Sequence, residues 1–195
     1  MLRTTGISFV PVIRLPPEYE VYDFTGGYDP NRVLRHPYGV GRYDEVRPGM
    51  YEGEQFEGIR NIHVGIDIGC PAGEPVWAFF SGTVFKLGDN ALPYDYGPTI
   101  ITRHEWLDQE VFALHGHLSR ASLTRWSEGD RFEAGEQIAA VGEPHENGGW
   151  NPHLHFQLSL IAPTTHDLPG AVSQEQRAQA LHDFPDPRLV LGPLY

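Results

Sequence analysis

The sequence predicts an all-β fold in which neighbouring strands are antiparallel. Apolar and polar residues alternate along several short runs, and closely spaced turn residues separate these runs. Of the 195 residues, 22 are glycine and 17 are proline, which is typical of a loop-rich β protein. Short connections between successive strands favour antiparallel pairing.

Residues 1–59 are predicted to form an irregular N-terminal extension. Glycine and proline occur too often there for any element longer than a short strand. The segment is nonetheless rich in tyrosine and phenylalanine, and this composition favours an ordered extension packed on the core over a disordered tail. Whether the extension reaches a cleft and blocks or shapes it stays open.

Six strands follow, joined by turns of the Ser-Gly, Gly-Asp and Ala-Gly-Glu kind. We predict them at 62–68, 76–87, 98–104, 110–118, 136–142 and 153–161. One short helix is predicted near 173–182, because Ser173 and Gln176 match a capping box and prolines follow the segment. The chain is thus divided into the extension, a core domain over 60–163 and a C-terminal tail over 164–195.

The last predicted strand carries two histidines on one face. Successive strand side chains point to opposite faces, so His153 and His155 lie side by side while Leu154 faces the core. Neutral imidazole is the commonest metal ligand and a common general base near neutral pH. Two histidines are too few for a zinc site, and a solvated pair explains this strand equally well when it is taken alone.

Two further strand-like segments present histidine. In one, His63, Gly65 and Asp67 share a face, and the glycine leaves a gap that an ion can fill. The other ends in His115-Gly116-His117. A catalytic zinc site needs three nitrogen or oxygen ligands and one position for water. These segments supply enough ligands. The strand faces and the spacing of the histidines do not determine which histidine of each pair binds the metal.

The order of these motifs resembles the lysostaphin-type (LytM-like) zinc endopeptidases. The matching segments are His63-Val64-Gly65-Ile66-Asp67, Gly116-His117-Leu118-Ser119 and Pro152-His153-Leu154-His155-Phe156, with glycine turns between them. Similarity extends from about Arg60 to Leu160. The resemblance implies a two-sheet antiparallel β-sandwich with an open groove.

The resemblance also implies residue roles. It assigns a zinc ion to His63, Asp67 and His155, and acid–base catalysis to His117 and His153. The implied reaction is hydrolysis of peptide bonds in a peptide or peptidoglycan-like substrate, in which zinc lowers the pKa of its bound water towards about 7.

Two departures from the family pattern concern the cleft. His115 stands where the family usually carries tyrosine, and we expect a hydrogen-bonded polar residue beside the cleft. The segment 143–151 replaces a shorter loop rich in glycine, serine and threonine, which indicates a changed substrate preference. Trp150 and Asn147 are further candidate cleft residues, although a tryptophan that covers the sheet end explains Trp150 equally well.

The amino-acid composition disfavours two classes of binding partner, nucleic acids and membranes. The formal net charge is −12, and such a surface repels nucleic acid and anionic lipid at long range. No run approaches the roughly 20 apolar residues of a membrane span, and the N-terminus does not match a signal peptide. We therefore expect no nucleic-acid or membrane partner and a cytoplasmic location, with an exported form and a protein partner left open.

Two alternatives to a peptidoglycan hydrolase follow. One is a non-catalytic regulatory or binding module of the same fold, which the complete set of five polar residues disfavours. The other is an intracellular zinc amidohydrolase that acts on a small substrate outside the cell wall. The acidic surface, the missing export signal and the unusual loop at 143–151 motivate this second alternative.

Overall fold

The computed structural model describes residues 2–27, 29, 35–51, 53 and 56–195; the other positions of the predicted extension lie outside the described residues. The strands are β1 (Glu20–Val21), β2 (Gly39–Gly41), β3 (Glu45–Val46), β4 (Ile62–His63), β5 (Ile66–Gly69), β6 (Pro75–Trp77), β7 (Gly82–Asn90), β8 (Gly97–Trp106), β9 (Gln109–Gly116), β10 (Arg131–Phe132), β11 (Gln137–Ala140), β12 (His153–Ser159) and β13 (Ala171–Val172). The helices are α1 (Arg120–Leu123), α2 (Arg177–Asp183) and α3 (Arg188–Leu191).

The largest sheet contains eight strands in the order β1-β2-β5-β12-β9-β8-β7-β10. Its neighbours pair antiparallel, apart from the parallel pair β1 and β2. Two smaller sheets have the orders β11-β6 and β13-β4-β3. The predicted all-β class is confirmed, and its strands divide into one large and two small sheets.

Both faces of the large sheet are covered in its middle. On β9, Val111 and Ala113 face an apolar cluster that includes Val76 of β6. Phe112 and Leu114, between and beside them, face a second cluster that contains residues of β4, β13 and α2. A strand covered on both faces carries a nearly continuous apolar run, as this one does.

The predicted strand 62–68 is two strands. Residues 64 and 65 separate β4 from β5, and the amide of Val64 donates to the carbonyl of Gly170 at 3.0 Å. β4 belongs to the three-stranded sheet and β5 to the large sheet. His63 and Asp67 therefore reach their common location from two different sheets.

The described part of the extension packs on the core. Its strand β2 pairs with β5 and its strand β3 pairs with β4. The Tyr22 ring lies against Gly39 and Gly69, where a Cβ would be 2.3 and 2.8 Å from the ring or its hydroxyl. The boundaries proposed at 59/60 and 163/164 stay a prediction.

The predicted C-terminal helix is α2, which begins at Arg177 rather than near residue 173, and the bonds of the predicted capping box form in the turn directly before it. The amide of Ser173 donates to Oε1 of Gln176 at 3.1 Å, and the amide of Gln176 donates to Oγ of Ser173 at 3.4 Å. The short helices α1 and α3 were not predicted, since four residues are too few for a periodic pattern. Among the described residues, none of the helices has the length and apolar character needed to cross a membrane.

Two histidines are buried in the core. His104 contacts Thr102 and the carbonyl of Ser81, and His115 contacts the carbonyl of Ile100. Burial lowers the pKa of His104 to about 3 and that of His115 to about 4. Both imidazoles are therefore neutral in the folded protein at neutral pH.

Because the pKa values of these two buried histidines are lowered, we predict that acid destabilises the fold. An unfolded histidine titrates near pH 6.5, so between about pH 6.5 and 4 the unfolded chain binds a proton that the folded chain excludes. The free energy of unfolding then falls as the pH falls, by up to about 1.4 kcal/mol per pH unit for each such histidine.

In urea unfolding of the metal-free protein at pH 7, 6 and 5, His115→Phe is expected to show a shallower loss of stability than the wild type. The exposed residue His145 provides the control, and His145→Ala should retain the wild-type slope. Equal slopes for His115→Phe and the wild type would contradict this account.

Candidate metal centre

Strand register brings the candidate residues together. In the pairing of β12 with β5, His155 lies opposite Asp67. In the pairing of β12 with β9, His155 lies opposite Gly116, and His117 is the next residue along the chain. Three adjacent strands therefore deliver a carboxylate and two imidazoles to one place.

Three ligand atoms meet at this place. Nδ1 of His155 lies 3.0 Å from Oδ1 of Asp67 and 3.1 Å from Nε2 of His63, and the third distance, from Nε2 of His63 to Oδ1 of Asp67, is 3.2 Å. His63 and His155 are buried, and Asp67 is largely buried. The three residues form the metal-compatible group that the resemblance implies.

His63 and His155 each have an inner ring nitrogen, which faces the other two candidate ligands, and an outer ring nitrogen, which faces away. The partner of the outer nitrogen determines whether the inner nitrogen carries a proton. Nδ1 of His63 lies 2.9 Å from the carbonyl of Arg42, which accepts but cannot donate. Nε2 of His155 lies 3.0 Å from Oε1 of Gln157, whose amide nitrogen donates to the carbonyl of Pro169 at 3.3 Å. These outer contacts favour the tautomers with the proton on each outer nitrogen, in which both inner nitrogens present a lone pair.

Two lone pairs and a carboxylate oxygen within about 3 Å of one another repel unless a cation lies between them. Ligand atoms around a tetrahedral ion at about 2.0–2.1 Å would be about 3.3 Å apart, close to the observed spacing. Two imidazoles and one carboxylate are ligands that zinc takes in catalytic sites. The donor set fits a divalent ion of this kind.

Charge states at the centre suit metal binding. Burial lowers the pKa of His63 to about 4. Burial acts to raise the pKa of Asp67, but His63 and Arg47 beside it hold that pKa well below its usual value. At neutral pH the imidazole is neutral and the carboxylate is ionised, which are the forms that bind metal.

Gly65 has a different role from the predicted one. A Cβ at this position would lie 2.5 Å from Cε1 and Nε2 of His155. The expected gap between His63 and Asp67 is thus filled by the His155 ring rather than kept for an ion. The glycine is needed so that this ring can approach the backbone.

His117 and His153 flank the three candidate ligands. Their ring centroids are 4.2 Å apart, and each Nδ1 contacts a carbonyl, that of Asn147 at 2.9 Å for His117 and that of Asn151 at 2.7 Å for His153. Burial lowers the pKa of both side chains, that of His117 well below the usual value. Each is therefore a neutral imidazole whose Nε2 is not bonded to the backbone, and Nε2 of His153 lies 3.8 Å from Oδ1 of Asp67.

The backbone of His117 adopts a conformation that is uncommon outside glycine, with φ of 61°. Its amide donates to the carbonyl of Tyr96 at 2.8 Å, and its carbonyl accepts from the amide of Gly142 at 2.9 Å. Two neighbouring segments hold the residue in this conformation, which is typical of functional sites.

All five candidate residues line one cleft of about 510 Å³. Aromatic rings form much of its wall: Tyr22, Phe24, Tyr51, Tyr94, Tyr96 and Trp150. The Trp150 ring lies 5.8 Å from the Tyr94 ring and 6.5 Å from the His117 ring, measured between centroids. The structure thus places Trp150 in the cleft wall.

His115 does not lie beside the cleft, which corrects our expectation. It alternates with Gly116 along β9, so its side chain points into the core, where it contacts Phe156 at a centroid distance of 5.3 Å. Asn147 is also fully buried. Its amide bonds to Trp150 and Gly142 within the loop, so Asn147 shapes the cleft from behind and its side chain does not line it.

Sequence reasoning missed three residues around the centre. Gln157 orients His155, Tyr96 packs between His117 and His155, and Arg47 bonds to Asp67. Gln157 lies on the polar face of β12 with the histidines, so strand alternation was a usable signal. No sequence signal indicated Arg47, which is 20 residues before its partner.

Comparison with known proteins assigns the family. The sequence model of "Peptidase family M23" matches residues 61–166, more than half of the chain, and this segment contains all five candidate residues. The chain belongs to peptidase family M23. The resemblance predicted from the motifs is thereby confirmed.

The curated relatives of this chain are longer than the chain itself. An "Uncharacterized metalloprotease" of Haemophilus influenzae is 31% identical over 150 residues, which are 75% of this chain and 25% of the relative. "Peptidoglycan DD-endopeptidase ShyC" of Vibrio cholerae is 29% identical over 121 residues, 60% of this chain and 25% of the relative. The matches thus span about a quarter of these two proteins.

Solved structures of M23 proteins are similar to the chain. The catalytic domain of lysostaphin from Staphylococcus simulans is 22% identical, with a TM-score of 0.49 over 73% of this chain and 92% of that domain. The catalytic domain of EnpA from Enterococcus faecalis is 24% identical, with a TM-score of 0.48 over 71% of this chain and 92% of that domain.

Gly65→Ala tests the geometry of this M23 centre. The new methyl group would displace the His155 ring, so we expect zinc affinity to fall by at least about tenfold, with the circular dichroism spectrum kept. Gly26→Ala is the control, because a Cβ there meets no atom within 4 Å. Zinc titration calorimetry makes the measurement, and equal affinities for the two variants would refute the packing argument.

Proposed function

We propose that this protein is a zinc-dependent metalloendopeptidase that cleaves peptide bonds in peptidoglycan. The observation that carries the proposal is the convergence of His63, Asp67 and His155 lone pairs beside two neutral imidazoles in one cleft. Membership of family M23 supports the reaction class. The peptidoglycan endopeptidase name of the Vibrio cholerae relative supports the substrate.

His63, Asp67 and His155 would hold the zinc ion. When bound, zinc lowers the pKa of its water and polarises the scissile carbonyl. The single negative charge of Asp67 leaves the centre with a net positive charge, which favours developing negative charge on the carbonyl oxygen. The outer contacts to Arg42 and Gln157 keep the ligand nitrogens unprotonated.

His117 and His153 would supply the proton transfers. Each has its Nδ1 committed to a backbone carbonyl, so Nε2 is the atom that accepts or donates. A pKa lowered by burial keeps both imidazoles neutral, and a neutral imidazole can take a proton from water. The imidazole that takes this proton at Nε2 would become an imidazolium, which can bind the oxyanion and then pass the same proton to the leaving amine.

The proposed activity is tested with peptidoglycan, glycine-rich peptides and dipeptides that contain D-amino acids. We expect cleavage of at least one of these substrates, loss of cleavage on chelation and recovery on addition of zinc. Stoichiometric zinc without cleavage of any of them would overturn the endopeptidase proposal and favour a non-catalytic module of the same fold.

Substitution separates the ligand from the acid–base residue. His155→Ala removes one of three ligands, so we expect loss of stoichiometric zinc and of turnover. His117→Ala should retain zinc but lose about 100-fold or more in kcat, because only proton transfer or oxyanion binding is removed.

Elemental analysis of protein never exposed to chelator measures the zinc, and peptide cleavage measures kcat. His182→Ala, which changes an exposed histidine on α2, is the control and should match the wild type. Equal zinc content in the wild type and His155→Ala would refute the ligand assignment.

A further inference from the structure

The N-terminal extension contributes to the metal centre through a buried arginine. We infer that Arg47 is a positioning residue that holds Asp67 so that only one of its two carboxylate oxygens faces the metal. This inference rests on the proposed metal site, but not on the proposed substrate.

Arg47 is fully enclosed by polar partners. Its side chain is 1% exposed. Nη1 donates to Oδ2 of Asp67 at 2.6 Å and contacts the hydroxyl of Tyr51 at 3.0 Å, Nε donates to Oε2 of Glu45 at 2.9 Å, and Nη2 donates to the carbonyl of Arg42 at 3.2 Å. A planar guanidinium with several fixed acceptors has a single orientation, which a lysine could not reproduce.

The two oxygens of Asp67 have separate partners. Oδ2 accepts the short charge-assisted bond from Arg47, whereas Oδ1 lies 3.0 Å from His155 and 3.2 Å from His63. Rotation of the carboxylate towards a bidentate arrangement would break the bond to Arg47. The arginine therefore favours binding through Oδ1 alone.

The same turn of the extension also orients a second ligand. The carbonyl of Arg42 accepts from Nδ1 of His63 at 2.9 Å and from Nη2 of Arg47 at 3.2 Å. Gly41 permits this close packing, since a Cβ there would lie 2.8 Å from Nη2 of Arg47 and 3.2 Å from Cβ of Asp67. Two of the three ligands thus depend on residues 41–47, which precede the M23 match at 61–166.

Glu45 also fixes the position of the Arg47 guanidinium, through a contact that does not involve the metal site. Its carboxylate is 2% exposed and bonds to Nε of Arg47 at 2.9 Å. A buried cation between two carboxylates is fixed by both, and removal of the cation leaves both unpaired. Substitution of Arg47 can therefore act on the position of Asp67 or on the folding of the whole protein, and these two effects need separate measurements.

Cobalt(II)-substituted protein provides the separating measurement. The visible absorption of cobalt(II) weakens as its coordination number rises, and it depends little on global stability. We expect Arg47→Met, and to a lesser extent Arg47→Lys, to show weaker visible bands as Asp67 gains freedom to bind through both oxygens. Zinc affinity should fall about 10–100-fold in Arg47→Met, the range typical of lost outer contacts to a metal ligand.

Arg120→Met is the matched control. Arg120 also pairs with an aspartate, Asp89, but on α1 outside the cleft. This variant should retain the wild-type cobalt spectrum and zinc affinity, even if its thermal stability falls.

Wild-type spectra and zinc affinity in Arg47→Met would overturn the inference and leave Arg47 with a structural role alone. If circular dichroism shows that Arg47→Met does not fold, the same two measurements are made on Arg47→Lys, which keeps the buried positive charge. Wild-type spectra and zinc affinity in Arg47→Lys would then overturn the inference. A wild-type protein that binds cobalt but cleaves nothing would refute the proposed function and leave this inference standing.

Discussion

The antiparallel pairing of β12 with β5 on one side and β9 on the other is the constraint on which the centre depends. It places His155 opposite Asp67 and beside the residue that precedes His117. A slip of one residue in either pairing would turn each side chain of the moved strand to the opposite face. The buried apolar residues Leu154, Phe156 and Leu158, which alternate with the polar residues of β12, oppose such a slip, so the core that stabilises the sheet also holds the polar site in register.

Burial and hydrogen bonding together prepare the side chains for chemistry. The imidazoles of His63, His117 and His153 have lowered pKa values because they are removed from water. Each of them also contacts a backbone carbonyl through Nδ1, and this contact fixes which nitrogen is free. His155 is held the opposite way round, with Nε2 at Gln157 and Nδ1 facing inwards. Contacts within the protein therefore fix the orientation of all four rings.

The extension belongs to the centre as much as the strands that carry the ligands. It adds β2 beside β5, supplies the Arg42 carbonyl and the Arg47 guanidinium, and contributes Tyr22 and Phe24 to the cleft wall. A segment outside the match to family M23 thus bears on both the ligands and the shape of the cleft.

Local periodicity was sufficient to predict the β class, the approximate strands and the five candidate residues, because the face of a strand is encoded by residues two apart. The capping box of α2 was predictable for the same local reason. The break between β4 and β5, the burial of His115 and the role of Gly65 were not, because each depends on a partner from a distant segment. The sequence by itself therefore determined which side chains share a face. The tertiary structure alone decided which nitrogen of each imidazole points inwards and that Arg47 secures Asp67, since those choices depend on hydrogen bonds between residues far apart in the chain.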